Sequence, residues 1–164
     1  MNATPKLKLT TPSDREIVMT RVFDAPRALV FECHVKPALV RRWLLGPPGW
    51  SMPVCDIDFR VGGKFAFRWR NDESGHEFGV GGVYREIVVP ERIVRTELFD
   101  GAEMGGESLE TTEFIEKAGK TTLTSTMLYD SREARDEVLK SGMEGGVAQS
   151  YDRLAELMVS LPAT

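Results

Sequence analysis

Two histidines, two cysteines and a scatter of carboxylates are the first side chains in this sequence to weigh for acid–base, nucleophilic or metal chemistry. His34 falls near the end of a predicted helix and His76 near a predicted hairpin, and together with Cys33 and Cys55 they give no zinc-ligand spacing, so no metal site is expected. Cys33 is a lone cysteine in a helical stretch and reads as a core residue rather than a nucleophile. The sequence has no GxSxG, no P-loop and no GxGxxG, and Gly79, Gly81 and Gly82 lie inside a strand pattern rather than at a strand-to-helix turn, so they do not cradle a phosphate. No cofactor is implied. Glu110 is the carboxylate that stands apart. It shares strand parity with Ser108, Thr112 and Phe114. If that face is inward, burial raises the pKa of Glu110 and fits it for general acid or base work. If it is not, Glu110 pairs with a neighbour on the convex face or lies near an open end. A tyrosine is the other acid or base the sequence offers, and no further catalytic residue is read from it.

The elements that would position these groups follow from periodicity. Residues 1–13 are polar and carry Pro5 and Pro12, and read as a loose tail. Arg15 to Asp24 is rich in β-branched residues and reads as a first strand, with alternation too poor to tell its buried face. Asp24-Ala25-Pro26 opens a helix to about His34, with Asp24 or Ala25 at the cap and Pro26 in the first turn. Lys36-Pro37 opens a second short helix whose buried face holds Leu39, Val40, Trp43 and Leu44, with Arg41 and Arg42 in water. Gly46 to Gly49, GPPG, is a rigid turn followed by Trp50.

The period then changes to two. Cys55, Ile57 and Phe59 alternate with the solvent-facing Asp56 and Asp58. Phe65, Phe67 and Trp69 alternate with Lys64, Ala66, Arg68 and Arg70, and the two arginines are expected in cross-strand ion pairs outside. Two more strands, Glu77 to Val88 (with Phe78) and Arg92 to Phe99, are joined by Val89-Pro90-Glu91, and the glycines of the first mark a bulge, bend or close approach. Asp100 to Gly106 is a loop. A last hairpin follows, with Phe114 on one strand and Leu123, Ser125 and Met127 sharing a face of the other. Asp130 with Glu133 caps a short helix. The final helix spans Ser141 to Leu161, with Met143, Val147, Tyr151, Leu154 and Met158 on one face, a Ser141–Glu144 capping box and a stop at Pro162. Gly142, Gly145 and Gly146 imply either a frayed start or something approaching the helix closely. Segregated strands and helices make the fold α+β: a curved antiparallel sheet gripping one helix.

The 164 residues suffice for one domain, read as residues 15–161 after a tail of residues 1–14. With 41% hydrophobic and 28% charged residues the composition is that of an ordinary soluble domain, and a net charge of -4 argues against a nucleic-acid surface. There is no apolar run of membrane-spanning length and no signal-peptide h-region, so a cytoplasmic location is expected, with both cysteines as buried thiols.

The ordered set RVFDAPRALVFECHVKPALVRRWLLGP, RVGGKFAFRWR, GGVYREIVVPERIVRTELF and GMEGGVAQSYDRLAELM, covering about Glu16 to Met158, resembles the SRPBCC proteins related to the activator of the heat-shock-protein-90 ATPase. The resemblance implies the START-like helix-grip fold: about seven strands wrapped around the last helix, two short helices after the first strand, and a hydrophobic cavity between sheet and helix. It implies binding of a small apolar partner, lipid-like or aromatic. Cyclase or hydrolase chemistry in the same cavity and a chaperone partner remain as alternatives, in a monomer or homodimer. No universal catalytic motif exists to carry over. In such a fold the core aromatics are also cavity wall, so Trp43, Trp50, Phe65, Phe67, Trp69, Phe78 and Phe114 become candidate ligand contacts, joined by Met127, Met143, Val147 and Leu154. Tyr151, Ser125 and Glu110 are the candidate orienting polar groups. The family often has tryptophan where this chain has Val147, and leucine where it has Tyr151, which implies more room and an extra hydroxyl. Eukaryotic activators carry an additional N-terminal domain for which this chain is too short, which weighs against a chaperone-activating role.

Overall fold

An amphipathic helix and a run of half-buried strands solve each other's burial problem, and the architecture follows from that pairing. The computed structural model describes residues 6–100 and 106–161. Its elements are β1 (Lys8–Thr10), β2 (Glu16–Phe23), α1 (Arg27–Val35), α2 (Pro37–Trp43), β3 (Trp50–Ile57), β4 (Lys64–Asn71), β5 (Glu77–Val88), β6 (Arg92–Phe99), β7 (Ser108–Lys117), β8 (Lys120–Leu128), α3 (Arg132–Lys140) and α4 (Met143–Ser160). All eight strands join one antiparallel sheet in the order β1-β2-β8-β7-β6-β5-β4-β3. Strands β2 to β8 are the expected seven. The eighth comes from the stretch read as a loose tail: Lys8–Thr10 pairs with Val18–Thr20, because Leu7 and Leu9 find an apolar cluster formed by Ile17, Met19, Met127 and Tyr129. Residues 1–5, the tip of the loop at 101–105 and the stop at Pro162 lie outside the described residues.

The obscure alternation of the first strand has a cause. Ile17, Met19 and Phe23 point inward, and Arg21 shares their parity and is only 4% exposed. It is held by Asp152 of α4 at 2.6 Å and lies over the Phe23 ring. A charge on the inward face spoils the hydrophobic pattern while tying β2 to α4.

The glycines of β5 are where the sheet comes into closest contact with itself. A Cβ on Gly82 would sit 1.8 Å from the carbonyl oxygen of Thr96 and 2.8 Å from the Phe65 ring, and one on Gly79 would sit 2.7 Å from the Phe67 carbonyl. The β5–β6 register also shifts between Tyr84 and Glu86. Close approach plus a bulge curls the sheet toward α4, as such features do elsewhere. The glycines of α4 behave otherwise. Nothing lies within 4 Å of a Cβ on Gly145, and Gly146 meets only Pro47 at 3.8 Å, so no strand presses on them.

Helix starts differ from expectation in detail. Ser141 and Glu144 do not form a capping box. Ser141 is the C-terminal cap of α3, its hydroxyl donating to the Val138 carbonyl at 2.6 Å, and Gly142 caps α4 with φ 82°. The left-handed glycine makes the reversal between the two helices, so the serine is spent on the preceding one. Ser131, not Asp130, caps α3 by accepting the Ala134 amide. Pro26 itself stands at the cap of α1, one or two residues later than the expected Ala25 or Asp24. At the far edge of the sheet, β3 carries the exposed Pro53 within a bulge between Ser51 and Val54.

The two glycine environments predict opposite responses to one added methyl. Gly82→Ala should destabilise the fold by about 1–3 kcal/mol through overpacking. Gly145→Ala should stabilise it by up to about 1 kcal/mol through helix propensity. Urea midpoints compared with the parent chain check both signs.

Candidate functional site

The second half of α4 fills the sheet concavity and the first half does not. Leu154, Leu157 and Met158 are buried in the main apolar cluster. Met143, Gly146, Val147 and Tyr151 instead border a cavity of about 450 Å³ between the helix and the sheet. That volume lies within the ordinary range for small-molecule sites. Trp43, Leu44 and Leu45 wall it on the α2 side, Trp50, Phe67, Trp69 and Phe78 on the β3–β5 side, and Met127 and Met19 opposite. The Gly46–Pro47 turn lies on the rim and is pinned to α4 twice. Its amide donates to the Ser150 hydroxyl at 2.8 Å, and its carbonyl accepts from Arg153. The Trp69 indole donates to the Leu44 carbonyl at 2.7 Å, which fixes the end of α2 against β4.

Eleven of the fourteen ligand contacts expected from the sequence line this space, and three do not. Leu154 is fully buried one turn below Tyr151. Phe114 lies behind the wall, edge-on to Phe31 and His34 with centroids 5.1 Å away in each case. Phe65 is covered by a guanidinium 4.1 Å from its centroid. Periodicity reports which face a residue is on; it does not report how deep along the helix or sheet the packing closes, and these three sit where it is closed.

Glu110 points inward, into a polar floor built with Arg95 and Glu97 of β6. Arg95, in register with Glu110 across β6 and β7, donates from Nε to Glu110 at 3.0 Å and from its terminal nitrogen to Glu97 at 2.9 Å. The Ser125 hydroxyl donates to the second Glu110 oxygen at 3.2 Å. Arg95 also lies over the rings of Phe65 and Phe67, an arrangement that favours a cation. His34, Tyr84, Thr112, Ser108 and Tyr129 also reach the cavity. The missed signal was strand parity: Arg95 and Glu97 fall in step with Ile93 and Phe99, which puts two charges on an inward face.

The ionisation of this floor follows from its burial. Desolvation, then the neighbouring Glu110 charge, push Glu97 up from 4.5 to about 8 against the pull of Arg95. Burial by itself would lower Arg95, but the charges of Glu110 and Glu97 hold it above its ordinary value. Burial lowers His34 from 6.5 to about 4, so its ring is neutral, with Nδ1–H donating to the Val30 carbonyl at 2.8 Å and Nε2 left as an acceptor. Burial raises the hydroxyls of Tyr151 and Tyr129, which remain protonated. The floor therefore offers hydroxyls, two carboxyl groups and one arginine whose charge is already answered. The thiols of Cys33 and Cys55 are buried and raised by that burial, which leaves them inert. Among the described residues, no group of three or more His, Cys, Asp or Glu could hold a metal ion, and no helix is long and apolar enough to cross a membrane.

A curved antiparallel sheet closed on a C-terminal helix, with a cavity left at the helix start, defines a helix-grip protein of the SRPBCC class. Within it, the chain belongs to the family described as Activator of Hsp90 ATPase homolog 1-like protein, whose model matches residues 24–159. Solved structures agree on the fold. A protein from Rhodobacter sphaeroides is 28% identical with a TM-score of 0.89, over 95% of this chain and 99% of that one. A protein from Mycobacterium smegmatis is 22% identical with a TM-score of 0.82, over 98% and 99%. An AHSA1-like protein from Aeromonas hydrophila is 15% identical with a TM-score of 0.69, over 90% and 98%. A comparison with curated proteins gives no match.

The raised Glu97 has a measurable consequence for stability. Between its unfolded value of 4.5 and its folded value of about 8, the folded chain holds a proton the unfolded chain has released. Stability from neutral Glu97 is complete below 4.5 and is lost as pH rises to about 8, at no more than about 1.4 kcal/mol per pH unit. His34, depressed from 6.5 to about 4, acts oppositely and costs stability as pH falls through that interval. The two slopes oppose each other below 6.5 and Glu97 acts alone above it. Urea titrations should show stability declining from about pH 6.5 to 8, with the decline removed in Glu97→Gln.

Proposed function

We propose that this chain is a binding module for a small, largely apolar or aromatic molecule held between α4 and the sheet. The observation that carries the reading is the cavity of about 450 Å³, walled by aromatic side chains and bordered on the helix by Gly146 and Val147. A fully packed core would close this space, because cavities cost stability in proportion to their size. Apolar burial would supply most of the affinity, at about 25 cal/mol per Å² before the costs of association. The Ser125, Glu110 and Tyr151 groups would orient the ligand. The wall is held open by structure that does not depend on a ligand: the Trp69–Leu44 hydrogen bond and the two bonds from α4 to the Gly46 turn.

Native mass spectrometry of freshly purified protein should show a retained non-covalent mass that is absent on denaturation. Val147→Trp should fill the space beside α4, lose that mass and leave the unfolding temperature within a few degrees of the parent. A Val147→Trp chain that binds the extracted compound unchanged places the site elsewhere.

A second reading, stimulation of an Hsp90-type ATPase through a protein contact, is supported by the family to which the chain belongs. Adding the chain to such an ATPase should then raise its turnover; unchanged turnover together with no co-purification rejects it.

A further inference from the structure

We infer that the polar floor of the cavity selects neutral ligands that carry a hydroxyl or amide donor at one end, and rejects carboxylates such as fatty or aromatic acids. This rests on the small-molecule reading above and specifies its ligand class. Arg95 is the only cation among the described residues that line the cavity, and both neighbouring acids already hold it. Glu110 takes its Nε–H and Glu97 one terminal N–H, while the Phe65 ring lies 4.1 Å from the guanidinium carbon. The charge on the floor is therefore -1 with both acids ionised, or zero with one of them protonated. In neither state does it offer a net positive charge to an incoming anion. A carboxylate entering this space would lose its hydration without gaining a counter-ion, the costly case for a buried charge.

A donor is served better. Each oxygen of Glu110 accepts one protein hydrogen bond, from Arg95 or Ser125, and a protonated Glu97 adds a third, against about four acceptor sites on a carboxylate. The capacity left over lies on a side chain that is only 18% exposed, where an unmatched acceptor is costly and a matching O–H or N–H is favoured. Burial keeps His34 neutral, so it adds an acceptor and no charge. The apolar wall of Trp43, Trp69 and Phe78 then takes the rest of the molecule.

Calorimetric titration at pH 7 with 2-naphthol, 2-naphthoate and naphthalene tests this, since the three share one ring system and differ at the polar end. The expected result is 2-naphthol binding at least tenfold more tightly than 2-naphthoate, with naphthalene between them. In Glu97→Gln/Glu110→Gln, which leaves the charge of Arg95 unanswered, the order of naphthol and naphthoate should reverse. Naphthoate binding as tightly as naphthol to the parent chain overturns the charge selection and leaves the binding reading standing, and this comparison needs no variant to fold. An unreversed order in a folded double variant likewise overturns the role of Glu97 and Glu110. Binding of none of the three compounds overturns both the selection and the small-molecule reading.

Discussion

The contact between the last two turns of α4 and the concave sheet is the constraint from which the rest follows. Leu154, Leu157 and Met158 are driven into the sheet by apolar burial, the dominant favourable contribution in folding. The sheet can receive them only because it bends, and it bends at β5, where Gly82 lets two backbones meet at a distance no side chain would permit. Buried Arg21, tied to Asp152, sets the helix against the first long strand. Packing is therefore complete at one end of the helix and incomplete at the other. The open end is where Val147 and Gly146 border empty space.

Charge occupies the same boundary. Arg95, Glu97 and Glu110 lie on three inward positions of two neighbouring strands, in a fold whose other inward positions are mostly apolar. A buried ion cluster is weak support for stability, because desolvation offsets much of the attraction. Its placement at the floor of a cavity, over two aromatic rings, is the feature on which the proposed ligand selection rests.

Most of the fold could be read from the sequence because it is written in periodicity. The period-two stretch Phe65, Phe67, Trp69 and the helical stripe through Tyr151 and Leu154 each specify a face, and the structure uses those faces. The glycines of β5 signal a bulge, a bend or a close approach, and at Gly79 and Gly82 a close approach is what the structure has. What escaped was set by tertiary context. Lys8–Thr10 lies in a mostly polar stretch and becomes a strand because Leu7 and Leu9 meet the apolar cluster beside the edge of β2. Arg95 and Glu97 look like surface residues in composition, and only their parity with Ile93 and Phe99 betrays them. Phe65, Phe114 and Leu154 share faces with true cavity residues but lie where packing has closed. The serine at 141 could have begun one helix or ended another, and the left-handed glycine after it decided the matter.

The exposed Pro53 in the bulge of β3 bears on how the molecule behaves in a crowd. An open sheet ends in strands whose outer amides and carbonyls are free to template a further strand, and that is a route to polymerisation. On this edge the proline removes one donor and the bulge breaks the even spacing that a new strand would need. The edge nearest the aromatic wall is thus the one least able to recruit a neighbouring copy by strand addition. A protein that keeps apolar walls open inside itself has, at this edge, little opportunity to grow outward.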